Sequence, residues 1–337
     1  MSTAARVPET WELDGDDARE TLMAVGRARL LRDALMRLRV SDGFSHARSM
    51  AFATSLVLVQ GLIAIVGFAA VVGDSTLAQS VTRAIRAAVP GPASRVLTDA
   101  VTQAFDTGAS SRWLPLILGT LGALITGATL MGQLERGLNR IYGVEQDRPS
   151  RQKYALALVL AVTAGLCSAA AFVMFAFGRD IGEAFGSGAH TVWDIARWPI
   201  AIGFVFVAMW MLFRWSPRRR QPAWSWLAYG AALSVVMWSA VTLALGVLFR
   251  ISSTFGDTYG PLAGIVALQI WCLLSAIAIL YGAAVAAQLE SVRAGKVVIQ
   301  ELGKLDLDAD APPPMLASTD AVAEPGPVGS GGGRALA

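Results

Sequence analysis

The sequence predicts an all-α, polytopic membrane protein: a bundle of six transmembrane helices with amphipathic helices at the N-terminus and on the extracytoplasmic side. Three observations carry this expectation. Six runs contain no Asp, Glu, Lys or Arg: 49–73, 113–134, 154–178, 198–213, 221–249 and 258–289. A hydrocarbon core about 30 Å thick takes roughly 20 residues at about 1.5 Å each, so five of the runs cross outright. Hydrophobic residues make up 54% of the chain and charged residues 16%, against roughly a quarter charged in soluble domains. Lys and Arg fall on alternate connections, with twenty-one on the side that holds both termini and seven on the other. By the positive-inside rule both termini are expected in the cytoplasm of a bacterial inner membrane.

Residues 1–48 form a charged cytoplasmic leader. Ala24, Ala28, Leu31, Leu35 and Leu38 share one helical stripe flanked by Arg27, Arg32 and Arg39. That pattern fits a helix lying in the headgroup plane, or equally one packed on the cytoplasmic loops. The transmembrane domain, 49–293, then has spans at about 49–73, 113–134, 154–178, 196–214, 222–249 and 260–289. The fourth run is short, and Arg197 and Arg214 lengthen it by keeping their stems in lipid and their guanidinium groups at the interface. Between the first two spans, Leu77, Val81 and Ile85 and then Leu97, Val101 and Phe105 mark two short amphipathic helices around Pro90-Gly91-Pro92. A loop of that length is expected to cap its own bundle rather than rest on the outer leaflet. The tail, 294–337, holds Pro312-Pro313-Pro314 and a Gly-rich end, and is expected to be a largely disordered cytoplasmic segment.

Inside the spans the devices are for packing. Gly119, Ala123 and Gly127, then Ala157, Ala161, Gly165 and Ala169, then Ala278, Gly282 and Ala286 recur every fourth residue. Such small strips let helix backbones approach closely, and a lining for an acyl chain is the sharper alternative. Gln60, Thr126, Gln269 and Ser275 are candidates for a polar intramembrane lining. No carboxylate, Lys, Arg or His lies mid-span, which argues against proton-coupled or cation-coupled transport.

Catalysis finds little to use. Cys167 and Cys272 lie in spans without metal spacing, and His46 and His190 fall on opposite sides of the membrane. An enzyme, a metal and a cofactor are therefore not expected, nor is a nucleic-acid partner.

Two blocks of residues carry a family resemblance. Leu138-Asn139-Arg140-Ile141-Tyr142-Gly143-Val144 followed by Arg148-Pro149, and Tyr259-Gly260-Pro261-Leu262-Ala263 with Trp271 and Gly282-Ala283, resemble motifs of the YihY/virulence factor BrkB family of bacterial inner-membrane proteins. Pro149, Tyr259, Gly260, Trp271 and Gly282 are the motif residues with expected structural roles. The chain departs from the family pattern at Gln60, where Pro is common, and at Ala284, where the family commonly has Glu. A mechanism resting on that carboxylate does not carry over, and Glu290 is read as an ordinary helix-end acid. The resemblance implies a six-helix membrane protein linked to envelope functions, with some members bearing a ribonuclease label.

Arg136, Asn139, Arg140 and Arg148 follow the second span closely, and guanidinium forks suit phosphate, so these four are candidates for contact with an anionic lipid headgroup; a structural tie to neighbouring helix ends is the other reading. Handling or transport of a lipid or other amphiphile, with membrane lipids as partners and a homo-oligomer possible, is the leading functional expectation. A non-transporting scaffold for envelope assembly is the alternative, and a small-solute channel the third.

Overall fold

A computed structural model describes residues 6–9, 15–72, 76–107, 113–184, 190–222, 224–251 and 261–294 of the chain. Among them no strand occurs, and the elements in order are α1 (Gly15–Val25), α2 (Arg27–Val40), α3 (Gly43–Val72), α4 (Thr76–Ala88), α5 (Pro92–Thr107), α6 (Trp113–Ile141), α7 (Ser150–Ala184), α8 (His190–Trp215), α9 (Trp224–Ile251) and α10 (Pro261–Arg293). The expected tail from 295 onward, and Tyr259 and Gly260, lie outside the described residues.

Six helices, α3 and α6 to α10, are long and apolar enough to cross a membrane. They run beyond the uncharged stretches of sequence. Helix α3 starts at Gly43 and so includes His46 and Arg48, while α6 continues to Ile141 through Glu135, Arg136 and Arg140. Charged residues at a helix end sit at interfacial depth, where they are tolerated, so the end of an uncharged run does not mark the end of a helix.

The spans close into a ring. Helix α3 packs on α6, α6 on α7, α7 on α8, α8 on α9, α9 on α10, and α10 returns to α3, with α6 also touching α10. Small residues decide where backbones meet. A Cβ at Gly67 would overlap the backbone of Leu116, and one at Gly119 would overlap that of Ala64, so α3 and α6 lie backbone to backbone. Gly230 and Gly282 do the same for α9 and α10. The small strips of α6 and α7 meet where a Cβ on Gly127 would come 3.3 Å from the Ala161 methyl. Gly165 has nothing within 4 Å of its would-be Cβ and serves no such contact.

Each end of the ring carries accessory helices. At the end away from α2, Val81, Ile85, Val89, Leu97 and Val101 of the α4–α5 hairpin are buried in one cluster with Leu62 and Val66 of α3, Leu245 of α9, and Leu268 and Trp271 of α10. The hairpin therefore caps the bundle. The turn between α4 and α5 depends on Gly91, which has φ +54° and lies against the Phe249 ring where a side chain would not fit. The side chains of Leu77 and Phe105 lie outside the described residues.

At the other end, a two-residue corner at Ser41 and Asp42, with Asp42 at φ +56°, turns α2 away from the axis of α3. Helix α2 packs on α10 and α3 and buries Leu30, Ala34, Arg37 and Leu38. The stripe read from sequence lies at the edge of this buried face. Leu38 is buried, whereas Ala28, Leu31 and Leu35 are exposed, and the side chain of Ala24 lies outside the described residues. Leu30 and Leu31 give the helix two apolar lines, and the one packed on the bundle is the one that also contains Arg37.

The close approaches give a direct test. Gly67→Leu and Gly282→Leu should each lower the thermal midpoint of the detergent-solubilised protein, as expected for overpacking that costs about 1–3 kcal/mol or more, while Gly165→Leu should leave it nearly unchanged. Thermal unfolding followed by circular dichroism measures all three.

Candidate functional site

The polar groups of the bundle concentrate at the end where α2, α6, α8, α9 and α10 meet, and the local structure starts from the end of α6. Gly143, at φ +69°, adopts the left-handed conformation that stops the helix. Its N–H donates to the Arg140 carbonyl at 3.1 Å and the Val144 N–H donates to the Asn139 carbonyl at 2.7 Å, the paired bonds of a Schellman motif. The stretch 138–144 is thus a helix stop in which only Gly fits the turning position without strain.

That stop turns the chain back so that Asp147 reaches Asn139. The Asn139 amide donates to Asp147 Oδ1 at 3.1 Å, and its oxygen accepts the Arg218 backbone N–H at 2.8 Å. Lys153 Nζ donates to Asp147 Oδ2 at 3.1 Å, with Arg136 Nε 3.6 Å from the same oxygen. Burial by itself would raise the Asp147 carboxyl, but the hydrogen bonds from Asn139 and Lys153 and the Lys153 charge hold it below the ordinary value. Arg148 then ties α6 to the α8–α9 link. Its Nη1 donates to Glu135 at 3.0 Å and to the Ser216 carbonyl at 2.6 Å, and Nη2 donates to the Pro217 carbonyl at 2.9 Å.

A second centre lies deeper. Arg219 and Glu290, with side chains each 1% exposed, form a two-pronged pair: Nη2 donates to Oε1 at 2.6 Å and Nη1 to Oε2 at 3.1 Å. Arg219 Nη2 also donates to the Pro8 carbonyl at 2.8 Å, and its guanidinium lies 4.6 Å from the centre of the Tyr142 ring. The Val7 N–H donates to the Tyr142 carbonyl at 3.1 Å and the Val7 side chain is buried. Arg37 joins the centre from α2, with Nε donating to Gln288 at 2.9 Å and Nη1 to the Ile141 carbonyl at 3.1 Å. Burial lowers its pKa to about 10, which leaves it charged at neutral pH. Burial, followed by the Glu290 charge, pushes the Tyr142 hydroxyl upward, so Tyr142 stays neutral.

These contacts redistribute the residues expected to meet headgroups. Asn139 is fully buried and both ends of its amide are engaged, and Arg148 is occupied by Glu135 and backbone carbonyls. Both act as ties between helix ends, which corrects the headgroup expectation for these two. Arg136 remains 48% exposed, and Arg140 is partly exposed with Nη1 donating to the Glu145 carbonyl at 3.2 Å.

The four intramembrane candidates divide in the same way. Gln60 Oε1 lies 3.2 Å from Thr126 Oγ1 across the α3–α6 seam, where Thr126 also donates to the Gly122 carbonyl at 2.7 Å. Gln269 Oε1 and Ser275 Oγ on α10 are buried without a hydrogen-bond partner. No hydrogen bond among the described residues joins the two pairs. Of the motif residues, Trp271 Nε1 donates to Thr242 Oγ1 at 3.0 Å and so ties α10 to α9, Gly282 permits the approach to Gly230, and the Pro149 carbonyl accepts the Lys153 N–H at 2.9 Å.

Sequence reasoning missed the pair itself. Arg219 is the middle one of three consecutive arginines in the sequence and Glu290 reads as a helix-end acid; 71 residues separate them, and nothing local marks either as buried. Arg37 was hidden in the same way among exposed arginines of the leader. Among the described residues no group of three or more His, Cys, Asp or Glu side chains is placed to share a metal ion. The arrangement holds chain segments together and presents guanidinium groups at the rim, and no paired acid and base stands out in it.

Residues 34–301 match the family model described as Virulence factor BrkB. Over 176 residues, 50% of this chain, the sequence is 27% identical to the putative ribonuclease-like protein YfkH of Bacillus subtilis (strain 168), and the match spans 62% of that protein's length. No solved structure matches the chain.

Breaking a buried pair from one side strands the other charge. Arg219→Met should therefore cost about 3–5 kcal/mol of stability, while the double change Arg219→Met with Glu290→Leu should recover most of the loss. Thermal unfolding of the parent, the two single variants and the double variant forms the cycle that measures this. Asp147 gives a pH signature. With its folded pKa below the unfolded one, its contribution is present above about pH 4 and is lost as the pH falls through the lower folded value, so Asp147→Asn should flatten that acid limb of a stability profile.

Proposed function

The chain belongs to the virulence factor BrkB family, and from that membership we propose that it binds and moves a lipid or other amphiphile in a bacterial inner membrane, with both termini on the cytoplasmic side. One observation carries the reading: six spans without a mid-span charge close a ring whose ends are both covered by accessory segments. Residues 6–9 and α1 lie across one end, tied to Tyr142, Arg219 and the ends of α9 and α10, and the α4–α5 hairpin lies across the other. Spans without mid-span charge suit cargo that is itself mostly apolar. They suit a coupling ion poorly, because ions in membranes are normally met by intramembrane charge.

The rim supplies a place for the polar end of an amphiphile. Arg136 and Arg140 lie one helical turn apart on the end of α6, and guanidinium groups bind phosphate in a forked geometry. The orientation rests on charge counts: arginines of the leader, of the α6–α7 and α8–α9 links and of the α10 end gather at one end of the bundle, which the positive-inside rule makes cytoplasmic.

The printed name of YfkH raises a ribonuclease reading. Phosphodiester cleavage needs a positioned acid and base or metal ions. His46 and His190 lie near the starts of α3 and α8, helices that run in opposite directions, so they stand at opposite ends of the bundle. The amphiphile reading uses more of what is present.

Reconstitution into liposomes with fluorescent lipids of several headgroups tests it. Transbilayer movement should be faster than in protein-free vesicles for at least one headgroup class, and Arg136→Gln with Arg140→Gln should slow it. Movement no faster than in the controls across all headgroups would sink the reading and leave the scaffold; ion conductance in planar bilayers would favour the channel.

A further inference from the structure

Helix α2 packs on α10 and leaves an outer face exposed. On α10, Leu262, Val266 and Ile270 are 63%, 44% and 37% exposed and form a lipid-facing row. Ala284 and Gln288 lie eighteen residues beyond Val266 and Ile270, five turns at about 3.6 residues each, and so continue that row. They are only 0% and 1% exposed. Helix α2 packs at this level, with Arg37 Nε donating to Gln288 and the Tyr281 hydroxyl donating to the Leu31 carbonyl at 2.8 Å. It therefore lies on the lipid-facing flank of α10, outside the ring, rather than over the end of the ring.

Successive sectors around α2 fit that place. Leu30, Ala34, Arg37 and Leu38 face the protein. Next around the helix come Leu31 and Leu35, 38% and 48% exposed, and the contact from Tyr281, two turns nearer the middle of α10 than Gln288, reaches the backbone at Leu31. Beyond them come the exposed Arg32 and Arg39, and on the remaining side Arg29, 55% exposed. A helix lying parallel to a membrane surface and clamped on one side needs this order: apolar toward the acyl chains, cationic at the headgroups, polar toward water.

We propose that the outer face of α2 is a binding surface for anionic phospholipid, with acyl chains under Leu31 and Leu35 and headgroup phosphates on Arg32 and Arg39. The apolar strip is continuous with the lipid-facing row of α10, which sets the occupant as the leaflet. The surface concentrates acidic lipid beside the last span whether or not the ring moves lipid, so failure of the transport reading leaves it standing.

The full chain, in a Cys167→Ala and Cys272→Ala background, is reconstituted in phosphatidylcholine vesicles with and without phosphatidylglycerol and spin-labelled at Leu35→Cys or Arg29→Cys. The Leu35 label should be open to oxygen and shielded from a water-soluble nickel complex, and the Arg29 label the reverse. Arg32→Gln with Arg39→Gln should lower the preference for spin-labelled phosphatidylglycerol over phosphatidylcholine severalfold while leaving the helical content unchanged. A Leu35 label as open to nickel as the Arg29 label overturns the proposal. So does dipolar coupling between labels on two copies, which would make the face a dimer contact, or an unchanged lipid preference in the double variant.

Discussion

The Arg219–Glu290 pair brings the α8–α9 link, α10, the strap at Val7 and Pro8 and the end of α6 together at one buried point. Through it the α8–α9 link reaches α10, the strap at Val7 and Pro8 is drawn in by a bond from the same guanidinium, and the Tyr142 ring at the end of α6 lies against its face. Arg37 extends the centre to α2 through Gln288 and the Ile141 carbonyl. Taking such groups out of water costs several kcal/mol per ion, and the attraction repays it only when the geometry is good and the remaining donors are satisfied. Two parallel bonds, a backbone carbonyl and an aromatic face engage both terminal nitrogens of Arg219, while its buried Nε is left without a hydrogen-bond partner. The pair therefore specifies one arrangement of five segments more than it adds to stability.

The two ends of the ring are held by different physics. At the Arg219 end, guanidinium groups and amides fix a register, because a hydrogen bond is lost over a shift of less than 1 Å. At the α4–α5 end, contact is carried by Val, Ile and Leu side chains on Leu62, Leu268 and Trp271, and apolar contact has no direction of its own. Between the two ends the spans are positioned by close backbone approach at Gly67, Gly119, Gly230 and Gly282. Lipid tails are as apolar as the helices, so in that region shape is the main discriminating force.

The stretch 138–144 shows how a motif can look functional and be architectural. Asn139 and Arg140 follow the second span closely, where the sequence alone would set them at headgroup level as ligands for phosphate. The Gly143 stop folds the following chain back, which delivers Asp147 to Asn139 and Arg148 to Glu135. The guanidinium groups that still reach the surface are those of Arg136, which also faces Asp147, of Arg140, which also donates to the Glu145 carbonyl, and, on a separate helix, of Arg32 and Arg39 on α2.

The sequence by itself determined the number of spans, the end at which positive charge collects and the presence of two amphipathic helices after the first span. Each of these follows from transfer of single residues between water and lipid, which is a property of residue type. It also marked the small strips, without saying which would meet: Gly127 found Ala161, Gly282 found Gly230, and Gly165 found nothing. Only the tertiary structure decided that Glu290 pairs with Arg219, that Arg37 rather than the other arginines of α2 is buried, and that Asn139 and Arg148 turn inward. Burial of a charge depends on a partner, and here the partners stand as far as 251 residues apart in the chain, so nothing in the local pattern distinguishes a buried arginine from an exposed one.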